Sequence, residues 1–129
     1  MRTARRRLVL ALPLMLVACR QRPLTPPDQA TAYHGEWRGP DVLLRLTPGR
    51  PSEQIGPNMW IGHPAQALYK KTGAWPSYTE CEFNGLDGND IAMCEDSDSA
   101  RQILKVDVPP HLDGSVWKMT VKGTVLERR

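Results

Sequence analysis

The sequence lacks an apolar run long enough to cross a bilayer. The apolar stretch Leu8 to Ala18 is 11 residues, and a helix rising about 1.5 Å per residue needs roughly 20 to span the hydrocarbon core. Glycine-rich phosphate loops are also missing, no serine sits in a nucleophile elbow, and Cys81 and Cys94 have no obvious base beside them. The three histidines, His34, His63 and His111, show neither i,i+4 pairing nor a cysteine at metal-ligand spacing, so a zinc or copper site would need all three to converge through the fold. There is no internal repeat. No Lys or Arg occurs between Lys71 and Arg101. These absences argue against an enzyme and give no expectation of a catalytic residue, a metal or a non-covalent cofactor.

The N-terminus is distinctive. MRTARRR supplies Arg2, Arg5, Arg6 and Arg7, the apolar run follows, and LVAC closes it at Cys19. A basic stretch, a short apolar stretch and small residues before a break form a secretory signal. The order Leu16, Val17, Ala18, Cys19 resembles the lipobox of bacterial lipoprotein precursors. That resemblance covers residues 1–19. It implies removal of a signal peptide at 1–18, diacylation of the Cys19 thiol and acylation of the new N-terminus. One acyl chain holds a protein only marginally, whereas two or three anchor it stably. Arg20 stands after the cysteine where retention signals carry Asp, which resembles outer-membrane cargo facing the periplasm. The competing reading is an ordinary signal, or an uncleaved anchor, with Cys19 a bystander.

Without the leader the charge balance changes. The whole chain has 17 Lys+Arg and 14 Asp+Glu; four arginines and no acid lie in the leader, which leaves 13 against 14. The net charge of +3 therefore belongs to the precursor and gives no case for nucleic-acid binding. If lipid takes Cys19, then Cys81 and Cys94 remain as an even pair in an oxidising compartment, where a disulfide is expected. Residues 19–32 hold Pro23, Pro26 and Pro27 with little that is apolar, the composition of a solvated tether. One domain is expected over 33–129, small enough to need a staple.

Within that domain strand patterns dominate. Val42, Leu44 and Leu46 alternate at period two; so do Leu104, Val106 and Val108, a row that VPP at 108–110 is expected to end. From Ser115 to Leu126 a single strand is expected, with Trp117, Met119, Val121 and Val125 on one face and a bulge at Gly123. HPAQALYKKTG reads as one short helix over 64–71, with Pro64 at its start, Lys70 and Lys71 at its negative end and Gly73 beyond. Pro48 to Asn58 reads as loop. CEFNGLDGNDIAMC reads as a hairpin with its turn around Gly85 to Asp90, Cys81 opposite Cys94 and Phe83 facing Ala92. The expected fold is thus mainly β: a small antiparallel sheet or barrel with one short helix, one disulfide and a lipid-anchored N-terminal tether.

Half the acids of the mature chain fall between Glu80 and Asp98. An EF-hand template begun at Asp96 fails, because Ala100 stands where a ligand belongs and position six is not Gly. A solvated acidic face is the simpler reading, and Asp87 and Asp90 are its candidate contacts for a basic partner. Glu80 and Glu82 form a pair of the kind glycoside chemistry uses, but any acidic surface offers such pairs. GEWRG at 35–39 carries G-x-W at the start of the first expected strand. It resembles the calycins, a group that includes lipocalins, avidins and bacterial metalloprotease inhibitors and closes small up-and-down barrels over a Trp. The resemblance implies that Trp37 plugs such a barrel. The chain departs from it in showing no regular run of six to eight strands and in the helix read at 64–71. Trp37, Trp60 and Trp75 are candidate binding aromatics or equally packing residues, Trp37 as the core Trp that begins any antiparallel sheet. The expectation is a non-catalytic envelope module that binds the membrane through lipid and another envelope protein through its surface. The alternative is a calycin-like small-ligand carrier or enzyme inhibitor.

Overall fold

The computed structural model describes residues 23–129, so the expected leader and Cys19 lie outside the described residues. The strands are β1 (Gly35–Arg38), β2 (Val42–Thr47), β3 (Arg50–Gly56), β4 (Met59–His63), β5 (Gln66–Lys71), β6 (Ser77–Asp87), β7 (Asp90–Met93), β8 (Gln102–Leu104), β9 (Val106–Asp113), β10 (Val116–Val121) and β11 (Thr124–Arg128). Nine of them make one antiparallel sheet in the order β8-β7-β6-β5-β2-β1-β11-β10-β9, and β3 pairs only with β4. The two ends of that order, β8 and β9, are consecutive in the chain with Lys105 alone between them. The sheet therefore curls until its ends meet. Two strands turn its corners. Residues 77–82 of β6 pair with β5, and residues 83–87 pair with β7. Likewise the segment 102–113 pairs first with β7 and then with β10. The seam is pinned by the Lys122 N–H donating to the Lys105 carbonyl at 3.1 Å, and by the Val106 N–H donating to the Asp90 carboxylate at 2.9 Å.

The curl encloses a filled core. Along β2, Val42, Leu44 and Leu46 point inward, as their alternation requires. Trp37, Leu44, Leu46, Phe83, Ile91, Met119, Val121 and Leu126 are fully buried. The Trp37 indole N–H donates to the Tyr33 carbonyl at 2.9 Å, which satisfies the one polar group this large side chain brings inside. Arg128 from β11 lies between two indoles, 5.2 Å from the Trp37 ring and 4.9 Å from that of Trp117. Its guanidinium also donates to the carbonyls of Ala32 and His34. One cation thus ties β1, β10 and the entry segment together. Cys81 and Cys94 form the expected disulfide, with a Cα–Cα distance of 5.0 Å.

Several expectations need correction. Residues 66–71 are a strand, not a helix. β5 pairs over six rungs with β2 on one side and with β6 on the other, and two complete ladders outweigh the modest helix preference of Ala, Leu and Lys. Helical backbone among the described residues is limited to 3₁₀ turns at Pro27–Gln29 and Thr31–Tyr33. Those turns lie where a solvated tether was expected. From Thr25 onward the segment is docked: Thr25 exchanges two backbone hydrogen bonds with Leu86, and Ala30 and Tyr33 are buried. Gly85, at φ +128°, makes room for this, since a Cβ there would overlap the Thr25 carbonyl oxygen.

The Pro48–Asn58 stretch contains β3, one arm of a hairpin. Phe83 sits opposite Met93, and a bulge then sets Gly85 against Ala92. The β6–β7 turn is the two residues Gly88 and Asn89. The expected strand 115–126 is two strands, joined by Lys122 and Gly123, both at positive φ as a tight I′-type hairpin needs. Because Val121 pairs with Thr124, the inward set changes parity there: Leu126 is buried and Val125 is exposed. Finally, β9 runs through Pro109 and Pro110. They fall where its register with β10 shifts, on a strand whose other edge has no partner in the sheet order, the positions where proline removes no ladder bond.

Candidate binding surfaces

The ladder of β2, β5 and β6 orients the surface. At one end stand Thr47, Gln66 and Glu82; at the other stand Val42, Lys71 and Ser77. The β3–β4 hairpin leaves the sheet at the first end, between Thr47 and Gln66. The loop 72–76 leaves at the second. Trp60 lies in the hairpin and Trp75 in the loop, so the two candidate aromatics are on opposite ends of a ladder about 17 Å long at about 3.4 Å per residue. They do not form one surface.

The hairpin is apolar towards its tip and polar at its root. Ile55, Met59, Trp60 and Ile61 are 56, 59, 64 and 43% exposed. At the root His63 meets Arg50 at 3.1 Å, and it reaches Glu53, which stands opposite Ile61, at 3.2 Å. A shallow cleft there is lined by Arg50, Pro51, His63, Pro64, Pro27 and Asp28, which brings the entry segment against the hairpin. At the opposite end Trp75 is 87% exposed and Tyr78 is 62% exposed. Gly73, at φ +111°, and Pro76 shape this loop. The Tyr78 hydroxyl donates to Glu80 at 2.6 Å, which pushes its pKa above the ordinary phenol value. Lys70 and Lys71 precede the loop, and both are exposed.

The acidic stretch is spread over separate duties. Asp90 accepts the Val106 N–H at the seam. Glu95 pairs with Arg101 at 3.1 Å, and the Asp96 carboxylate caps the backbone N–H groups of Asp98 and Ser99. Glu80 and Glu82 are both exposed on β6. Tyr33 is buried, and burial, with the Asp90 charge near it, raises its pKa; its hydroxyl donates to the Asn89 carbonyl at 2.9 Å. Asp87 and Asp90 thus flank the β6–β7 turn, and Asp90 at least serves the fold. Trp37, the third candidate aromatic, presents nothing to solvent. Among the described residues no three of His, Cys, Asp and Glu gather where they would hold a metal ion. His34 bonds to the Pro27 carbonyl and His111 to that of Pro109.

The core leaves little room for a guest. Where the curl opens near the Trp75 end, Tyr69, Thr79, Met93, Leu104 and Lys122 line a cleft of about 210 Å³, below the roughly 300 Å³ at which small-molecule pockets begin. Sequence reasoning picked out both exposed tryptophans but missed Tyr78 and the apolar hairpin tip. The run IGPNMWI held the signal: apolar residues flank a turn, so a hairpin there has no polar face to turn outward. No family model, no curated protein and no solved structure matches this chain.

Proposed function

We propose that the chain is a non-catalytic binding module of the bacterial envelope, anchored by lipid on Cys19, whose partner is another envelope protein. The observation that carries the reading is Trp75, 87% exposed at the tip of a short loop on a rigid ladder. An indole in water is an unsatisfied apolar surface, and Trp and Tyr are the residues most often found as interface anchors. Tyr78 adds a second aromatic, and Lys70 and Lys71 give the rim a positive charge that would steer an acidic partner surface. The test is a photo-crosslinking amino acid placed at position 75 of the full chain in the cell. One discrete protein adduct is expected, with at least tenfold less of that protein retained by a Trp75→Ala, Tyr78→Ala double variant, a loss of about 1.4 kcal/mol or more. Absence of any adduct, or retention unchanged in the variant, contradicts the reading.

A second reading has its own support. The main sheet runs through its strands in chain order, returns β11 to β1, and buries Trp37 of the G-x-W under Arg128. These features support the calycin resemblance. Within that group an enzyme inhibitor accords better with the filled interior than a small-ligand carrier does. Stoichiometric inhibition of a periplasmic or secreted hydrolase would favour it over an assembly role, whereas saturable binding of an apolar dye inside the curl would favour the carrier.

A further inference from the structure

We infer that the β3–β4 hairpin inserts its tip into the interfacial region of the bilayer to which the chain is anchored, so that the domain is held at two points with the Trp75 end facing away. The inference rests on lipid at Cys19, proposed above. Three observations converge. First, exposed apolar side chains stand on both sides of the ribbon near the tip, with Gln54 opposite Trp60 and Glu53 opposite Ile61. Met59 and Ile61 alternate with Trp60 along β4, and Ile55 falls in the register shift between Gln54 and Gly56. A flat protein partner covers one side of a two-stranded ribbon and leaves the other wet. A lipid interface surrounds it.

Second, polarity changes along the hairpin: Ile55, Met59 and Trp60 lie towards the tip, Glu53 stands opposite Ile61 midway, and Arg50 faces His63 at the root. Trp suits the boundary between headgroups and acyl chains, and an apolar end with a polar root matches an element that dips in rather than crosses.

Third, the chain itself sets the distance. Cys19 is four residues from Pro23, the first described residue, and four extended residues span at most about 14 Å. Pro27 and Asp28 then line the cleft at the hairpin root. With Thr25 bonded to Leu86, past the Glu82 end of the β5–β6 ladder, an acylated Cys19 holds this end of the sheet closer to the membrane than the Trp75 end.

The test uses the full chain, purified from cell membranes in detergent and reconstituted in phosphatidylcholine/phosphatidylglycerol vesicles with brominated acyl chains. Tryptophan fluorescence should be quenched. Trp60→Phe, which keeps the tip apolar, should remove most of that quenching, and Trp75→Phe should leave it in place. Flotation of the protein with the vesicles reads the anchor separately. If the protein floats but bromine quenches no more than it does in the Trp60→Phe variant, the anchor stands and insertion is overturned. If the purified protein lacks acyl mass and does not float, the anchor reading fails; quenching of Trp60 on adding vesicles to that protein would still support the hairpin, and its absence would overturn insertion as well.

Discussion

The curled sheet and the β3–β4 hairpin both carry large apolar side chains and use them in opposite ways. In the sheet every strand sends at least one apolar side chain into the core, and Trp37, Arg128 and Trp117 form a stack that joins three elements. In the hairpin Trp60 and its neighbours face water, and the two strands bond only to each other. An isolated two-stranded ribbon is marginal in water, so the hairpin borrows its order from the sheet at Thr47 and Gln66. The difference teaches where folding ends and binding begins. Apolar surface that the fold can cover is covered. What remains exposed is concentrated at the hairpin tip and around Trp75, with Ile103, Val108, Leu112 and Val125 scattered along strands elsewhere.

Mutations should separate the two regions sharply. Trp37→Ala removes the largest buried side chain and strands the Arg128 guanidinium over a cavity. It should cost about 3–5 kcal/mol in denaturant unfolding, enough to unfold many domains of this size. Replacing Cys81 and Cys94 by Ser should cost about 2–4 kcal/mol, the usual effect of opening a loop of this length, read as a lower urea midpoint. Arg128→Met keeps the stem between the indoles but loses the cation and its donors to two carbonyls. A loss of about 2 kcal/mol is expected. By contrast, Trp60→Ser should change unfolding by no more than about 0.5 kcal/mol. A hairpin variant as damaging as Trp37→Ala would erase the distinction between the regions.

The smallest expected effect is electrostatic. Glu36 on β1 accepts from Arg45 and Arg38, each at 2.9 Å, and the hydrogen bond from Arg45, then that from Arg38, lowers its pKa. A carboxylate held low in the folded state contributes fully above its unfolded value and loses that contribution as pH falls through its folded value. Stability should therefore decline on the acid side, below about pH 4.3, and Glu36→Gln should flatten part of that limb. The pair is exposed, so salt should shrink the effect.

What could be read in the sequence was what is local. The alternation in Val42–Leu46 required only neighbouring residues, and the Cys81–Cys94 disulfide required a cysteine count and a short hairpin between the two; both describe the structure correctly. Residues 66–71 misled because Ala, Leu and Lys tolerate a helix, and the two ladders that make them a strand come from residues about twenty positions earlier and ten later. The Lys122–Gly123 turn hid inside an unbroken alternation, although two inserted residues reverse which side faces inward. Trp60 and Trp75 were both visible as candidates. Their separation was not, since it depends on the chain leaving the same ladder at different ends.

The most direct measurement places a photo-crosslinking residue at position 60 or at position 75 of the full chain in living cells and compares the products. The account predicts a discrete protein adduct from position 75, and only lipid-sized mass additions from position 60. The same protein captured from both positions, or lipid captured from position 75, would contradict it.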